Sequence, residues 1–324
     1  MRWKFHDLTI EGATNAAAVR ERWQMSFASL RPGAAAPDLS FSLNLVSEAP
    51  PRPQREPQFR QGDLLEYHLE GRTVIAHFPR FGQLRLDLAN GATEGQIVAD
   101  VLTTYGVLED LIAIGLSPHL RRRGLFLIHA FAAADPHPRP LSLTRERGVL
   151  LVGGIGSGKT TTGMSLLNAG WQLLSNDSPI LNSSAEVLSY PGLLAAYPDT
   201  FARFEATAGL AQTVPTARGR QKLTLAAEEV WPDVWLDRAP AGAIFFPHIE
   251  ARADHALEPL NAPEALRRLL PHAVEQWDRE LIPEHLKVLR ALVEAAPAYL
   301  LRLGSEVRAI PALINKVMSD EVSR

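Results

Sequence analysis

Gly148-Val-Leu-Leu-Val152, followed by Gly153-Gly-Ile-Gly-Ser-Gly-Lys159-Thr160, decides the reading of this chain. The apolar run reads as a buried strand. The glycine-rich stretch after it matches G-x-x-x-x-G-K-[ST], a phosphate-binding loop that joins a strand to a helix. Average residue usage produces this match by accident about once in a hundred chains of this length. Glycine takes positive φ without steric penalty, so successive N–H groups turn inward. The helix N-terminus adds partial positive charge, and phosphate oxygens fill the cradle. That cradle comprises Gly153, Gly154, Ile155, Gly156, Ser157, Gly158, Lys159, Thr160 and Thr161. Lys159 is placed to reach the β- and γ-phosphates and the Thr160 hydroxyl to coordinate Mg²⁺, so the expected ligands are ATP and Mg²⁺.

Working outward, Leu125 to Ala134 is an apolar run with His129 in its middle and reads as a second buried strand. Between the two strands, Asp135 to Arg147 alternates proline with basic and polar residues and reads as an exposed insertion. Downstream, a helix is expected to Asn168-Ala169-Gly170, then a strand over Trp171 to Leu174 that ends at Ser175-Asn176-Asp177. Further strands are expected near Val187 to Tyr190 and Ala243 to Phe246, and the last sixty residues read as helical, with helices at Pro263 to Leu270 and Glu284 to Glu294. Pro247 and His248, rather than an acid, follow the Ala243 to Phe246 run, and Asn315-Lys316-Val317-Met318 lacks the aspartate of N-K-x-D. Both absences speak against a GTPase and most mechanical ATPases.

Toward the N-terminus, Leu39 to Leu45 alternates apolar and polar residues, and Leu65, Tyr67, Leu69, then Val74, Ala76, Phe78, then Leu84, Leu86, Leu88 do the same around the turn Glu70-Gly71-Arg72. This period-2 pattern predicts a small, mostly antiparallel sheet over the first ninety or so residues, interrupted by an exposed proline-rich connection from Ala49 to Pro57. Thr93 to Gln96 fits a capping box, with Ile97, Val98, Val101, Leu102, Tyr105, Leu108, Leu111 and Ile112 following at helical spacing. A second helix is expected to start at Ser117-Pro118 and to stop at Gly124 after three arginines, which either complement the helix dipole or form a phosphate or partner patch. The organisation read this way is a β-rich region over 1–92 and a P-loop domain over 93–324 carrying an insertion at 135–147.

Lys and Arg number 33 against 36 Asp and Glu, so no global field draws nucleic acid or an anionic membrane. The chain has no cysteine, which removes disulfides and thiolate chemistry and fits a reducing compartment. The opening residues lack the apolar stretch of a signal peptide, and no later segment approaches the roughly 18 apolar residues of a membrane span. A cytoplasmic location is expected, with neither nucleic acid nor membrane as partner.

The order of features from Phe126 to about Ile180 resembles the HPr kinase/phosphorylase family and its HPr-kinase-like relatives: Leu127-Ile128-His129-Ala130, the strand into the P-loop, Gly170 to Leu174, then Ser175-Asn176-Asp177. The tail, Pro297 to Gly304 and Ile310 to Ile314, looks like that of the relatives. The resemblance implies an α/β fold, a P-loop kinase core with a mixed sheet similar to phosphoenolpyruvate carboxykinase, preceded by the β-rich region and ending in helices. It implies transfer of the γ-phosphoryl group of ATP to a serine or threonine hydroxyl of a protein or peptide, in a chain that assembles as a homo-oligomer. His129 would lie beside the phosphates, Asp177 would hold Mg²⁺ or activate the acceptor, and Lys159 completes the catalytic set. Phosphoryl transfer needs charge neutralisation and positioning, which these groups supply.

Alternatives stay open at this point. His129 is either beside the phosphates or a hydrogen-bonded histidine in a buried strand, and Asp177 is either a functional carboxylate or a turn residue before Ser178-Pro179. Asn176 stands where the family has the first of two aspartates, and an amide accepts no proton at neutral pH. That departure favours a second reading, an ATP-binding regulatory or assembly module with impaired chemistry. A small-molecule kinase is a third. Asp199 is either a second metal ligand or a surface carboxylate. Thr207 to Gln221, with Arg218 and Arg220, is either a catalytic mobile loop or a solvated basic one.

Overall fold

The computed structural model describes residues 1–104, 106–135, 147–210, 212–215 and 221–320. It is a mixed α/β protein that divides into two compact units. The first comprises Met1–Arg123, Thr213–Lys222 and Glu275–Leu281, and the second Gly124–Gln212, Leu223–Val274 and Ile282–Arg324. Among the described residues no helix is long and apolar enough to cross a membrane.

The first unit contains β1 (Arg2–Phe5), β2 (Leu8–Ala13), α1 (Ala17–Ser26), β3 (Arg31–Pro32), β4 (Leu39–Leu45), β5 (Phe59–Gln61), β6 (Leu65–Glu70), β7 (Thr73–Phe78), β8 (Gly82–Asp87), β9 (Ala92–Ile97), α2 (Asp100–Thr103) and α3 (Val107–Arg121). Its nine strands are ordered β3-β1-β2-β4-β9-β8-β7-β6-β5. Pairs β2/β4 and β4/β9 are parallel, so the sheet is mixed. The alternation at Leu39, Phe41 and Leu43 places those side chains in the core, where Trp23 of α1 meets Phe41 edge-on at 5.2 Å. Gly115 lets α3 approach closely, since a Cβ there would stand 2.5 Å from the Phe41 ring.

Thr93 to Gln96 is strand, not a helix start: Thr93, Gly95 and Ile97 point inward and Glu94 and Gln96 outward. Gly95 hid the alternation, and it is needed because a Cβ would overlap Leu43 and Leu84. The helix first appears at Asp100, halts near Gly106 (φ +76°), and runs uninterrupted from Val107 through Ser117 and Pro118. Ser117 and Pro118 are buried inside α3, where Ser117 accepts a 2.6 Å hydrogen bond from Arg121. Tyr105 lies outside the described residues.

The three arginines are engaged within this unit. Buried Arg121 donates to Asp278 from Nε and Nη2 (3.2 and 3.0 Å), and Arg122 reaches both Asp278 oxygens (2.9 and 3.1 Å). Arg123 donates to the carbonyls of His119 and Asp38. The Arg121 guanidinium also lies 5.2 Å above Trp277, which stacks on Tyr67 at 4.7 Å. Nearby, the Thr93 hydroxyl donates to the Gly115 carbonyl and faces His119 Nε2 at 3.0 Å. Burial first, then the Arg123 and Arg122 charges, lower the His119 pKa to about 4.

The second unit contains β10 (Phe126–Leu127), β11 (Ala130–Ala134), β12 (Gly148–Val152), α4 (Lys159–Asn168), β13 (Gln172–Ser175), β14 (Ile180–Leu181), β15 (Glu186–Leu188), β16 (Leu194–Ala196) and α5 (Pro198–Phe201). After β17 (Gln212–Pro215) and β18 (Gln221–Leu225), of which Thr213–Lys222 belongs to the first unit, come β19 (Arg238–Ile249), β20 (Ala256–Leu260), α6 (Ala262–Ala273), α7 (Ile282–Ala295), β21 (Ala298–Leu303) and α8 (Ile310–Asp320). The large sheet runs β10-β14-β15-β19-β12-β11-β13, with β21 paired to β19 and β20 to β21. Strands β12, β19 and β21 are mutually parallel, while β11 is antiparallel to β12 and β13. Residues of alternate parity on β12 serve the two faces: Val149 and Leu151 pack toward α4 and α8, Leu150 and Val152 toward α6 and α7. A fully buried five-residue apolar run is what a strand covered on both faces requires.

The tail is therefore not wholly helical, because Ala298–Leu303 is a strand. The Leu125 to Ala134 run is also divided: β10 ends at Leu127 and β11 begins at Ala130. Residues 136–146 of the expected insertion lie outside the described residues.

Candidate active site

Ligands of open α/β sheets bind outside the carboxyl ends of parallel strands, and here β12, β19 and β21 all point toward the phosphate loop. Gly156 (φ +81°) and Gly158 (φ +101°) supply the positive φ values of the loop, and Gly158 has a second requirement, since a Cβ would meet Leu303 at 2.5 Å. Helix α4 follows with no side-chain cap and no acidic residue in its first turn, leaving its N-terminal N–H groups available to an anion. The Ser157 hydroxyl is buried without a hydrogen-bond partner among the described residues. An orphaned hydroxyl and an uncapped helix start fit phosphate oxygens. Gly163, one turn into α4, lies so close to Phe131 of β11 that a Cβ would overlap the ring, which seats the helix on the sheet.

His129 sits in the break between β10 and β11, not inside a buried strand, and its side chain is 39% exposed. Backbone bonds fix this bend: the amides of Ile128 and Ala130 donate to Pro179 and Asp177, while that of His129 turns the other way to the His272 carbonyl at 2.7 Å. Since Ala130 pairs with Val152, His129 falls opposite the start of the phosphate loop. Its Nε2 lies 3.2 Å from Lys159 Nζ, and its Nδ1 lies 3.2 Å from Asp177 Oδ1. One ring nitrogen thus faces the lysine ammonium and the other the carboxylate. Lys159 is buried and also donates to the carbonyls of Gly153 (2.5 Å) and Gly154 (3.2 Å). Lys159, His129 and Asp177 thus form one row.

Asp177 is more than half exposed, beyond a turn in which the Ser175 hydroxyl accepts the Ser178 amide at 3.1 Å. The Asn176 side chain points elsewhere, donating to the Leu193 carbonyl at 2.8 Å. Thr160 stands in the first turn of α4, and Thr161 Oγ1 lies 3.4 Å from Thr200 Oγ1 of α5. Asp199 is exposed in the first turn of α5. Among the described residues no three His, Asp or Glu are grouped to hold a metal ion. Mg²⁺ bound with a nucleotide needs only one or two protein ligands besides phosphate oxygens, and Thr160 and Asp177 are of that kind. Residues 216–220, with Arg218 and Arg220, lie outside the described residues.

Four groups beside the loop belong to no motif of the sequence: His248 at the end of β19, Arg302 of β21, and Arg268 and His272 of α6. Arg302 is salt-bridged to Glu250 and Glu258. Burial, then the His129 and Lys159 charges, lower the His272 pKa. The four-residue spacing of Arg268 and His272 on a helix is the only local hint of a shared face.

No family model matches the chain, and no curated protein does. Among solved structures, the HPr(Ser) kinase/phosphatase from Coxiella burnetii is similar at 10% identity and a TM-score of 0.27, over 60% of this chain and 94% of that one.

Proposed function

We propose that this chain is an ATP- and Mg²⁺-dependent phosphotransferase of the HPr-kinase-like kind, with a core akin to phosphoenolpyruvate carboxykinase, acting in the cytoplasm on a serine or threonine hydroxyl of a protein or peptide. The observation that carries the reading is the Lys159–His129–Asp177 row beside the phosphate loop. A phosphate loop alone binds phosphate; a carboxylate oriented by a histidine next to the loop's lysine adds a proton acceptor where an attacking hydroxyl would stand. When bound, MgATP supplies the phosphoryl group and neutralises its charge. Lys159 contributes a positive charge at the loop, Asp177 receives the acceptor proton or holds the metal, and His129 between them holds both in place.

Asn176 favours a silent ATP-binding module as the second reading, yet its amide is committed to the Leu193 carbonyl and Asp177 remains beside the loop. Incubation with γ-labelled ATP, Mg²⁺ and proteins encoded beside it separates the two. Label transfer that disappears in Asp177→Ala supports the kinase, and tight ATP binding without turnover supports the module.

A further inference from the structure

A cleft of about 440 Å³ opens beside the phosphate loop in the second unit, with Phe246 and Leu300 among its apolar lining. Its polar walls are Arg268, His272, His248 and Arg302, and no carboxylate lines it among the described residues. Position identifies the end of the nucleotide that it meets. Gly153 and Gly154 line the cleft, and their carbonyls hold the Lys159 ammonium, the group that serves the β- and γ-phosphates in this motif. Thr161, at the other end of the motif, faces Thr200 instead. The cleft therefore meets the end from which the phosphoryl group departs. His272 connects it to the catalytic row, its ring 6.1 Å from that of His129.

At the α6 wall of this cleft the charge is not cancelled, whereas Arg302 on the β21 wall is met by Glu250 and Glu258. Glu264 answers two guanidinium groups at once, accepting from Arg267 on both oxygens and from Arg268 Nε at 2.8 Å. One positive charge is in surplus, and Arg268 keeps four further N–H donors while lying 5.9 Å over Phe246. Resting on the phosphotransferase reading, we propose that this cleft is the acceptor subsite and that the acceptor carries a carboxylate near its hydroxyl, received by Arg268 and His248. The acceptor oxygen bonds the γ-phosphorus as the phosphorus bond to the bridging oxygen of ADP breaks, and the hydroxyl proton passes to Asp177. Such an acceptor is either an acidic peptide or a free hydroxy acid.

The test titrates full-length, nucleotide-free protein by calorimetry with Ac-Glu-Ser-Glu-NH₂, Ac-Lys-Ser-Lys-NH₂ and glycerate, then repeats this in Arg268→Gln and His248→Gln. ATP is titrated in parallel. An acidic ligand is expected to bind roughly tenfold tighter than the basic peptide, with each variant losing about that factor while keeping ATP affinity. His248 is exposed, so its variant reports even where Arg268→Gln folds poorly. Preference for the peptide over glycerate, or the reverse, names the source. Binding of neither the acidic peptide nor glycerate more tightly than the basic peptide, or unchanged affinity in both variants, overturns the subsite while leaving the kinase reading intact if ATP binds. Absence of ATP binding in the unmodified protein overturns both.

Discussion

Lys159 Nζ and His129 Nε2 stand 3.2 Å apart, and the ring's other nitrogen, Nδ1, stands 3.2 Å from Asp177 Oδ1. The histidine therefore touches a cation and an anion with opposite edges. His129→Ala is expected to lower phosphoryl transfer by about 10²- to 10⁴-fold, the range of a lost acid–base or positioning group. ATP affinity should change far less, whereas Lys159→Ala should lose both. Calorimetry with a parallel transfer assay separates these outcomes, and equal loss of ATP affinity in the two variants would sink the assignment of His129 to chemistry.

A second carboxylate next to Asp177 should not raise activity. Asn176 donates to the Leu193 carbonyl, and an aspartate has no N–H to give there. Asn176→Asp is expected to destabilise the protein by about 1–3 kcal/mol, the cost of a lost partner in a partly buried site, without raising transfer. Chemical denaturation and the labelled-ATP assay check this together.

Gly163→Ala should push α4 off Phe131, because the new methyl has no space. Overpacking of this size costs about 1–3 kcal/mol. Since α4 begins with Lys159 and Thr160, ATP affinity is expected to fall with stability. A variant that melts normally and binds ATP normally would contradict the packing argument.

The first unit carries a pH dependence at His119. Its folded pKa of about 4 lies below the ordinary 6.5, so the unfolded chain binds the extra proton first. The stabilisation is fully present above pH 6.5 and is lost as pH falls toward 4. It amounts to about 3 kcal/mol at most. Urea denaturation between pH 7 and 4 should show this decline, and His119→Gln should flatten it.

What the sequence disclosed depended on how local the determinant was. The strand entering Gly153, the loop itself and the alternation of Leu39 to Leu45 are set by neighbouring residues and were readable. Helix α1 carries little local signal: its apolar face rests on Val19 and Trp23 with little else, and Trp23 is covered by Trp3 and Phe41 of the flanking strands. The turn of His129 away from its strand depends on carbonyls of Asp177, Pro179 and His272, none of them near in sequence. Thr93 to Gln96 misled because a strand whose inward positions are threonine and glycine loses the apolar half of its alternation. The arginines and histidines of the cleft come from three elements, β19, α6 and β21, and only assembly of the sheet brings them together.

The pairing of Arg121 with Asp278 spans 157 positions in the chain. During synthesis, at about 5–20 residues per second, Arg121 and Arg122 wait on the order of ten to thirty seconds before their carboxylate exists. The first unit consequently cannot complete itself as it leaves the ribosome, although most of its strands are already made. Its final closure is tied to the emergence of residues 275–281, after the phosphate loop and α6 have been translated. A nascent chain arrested before Asp278 should therefore present a protease-sensitive first unit, and one arrested well beyond it a resistant one.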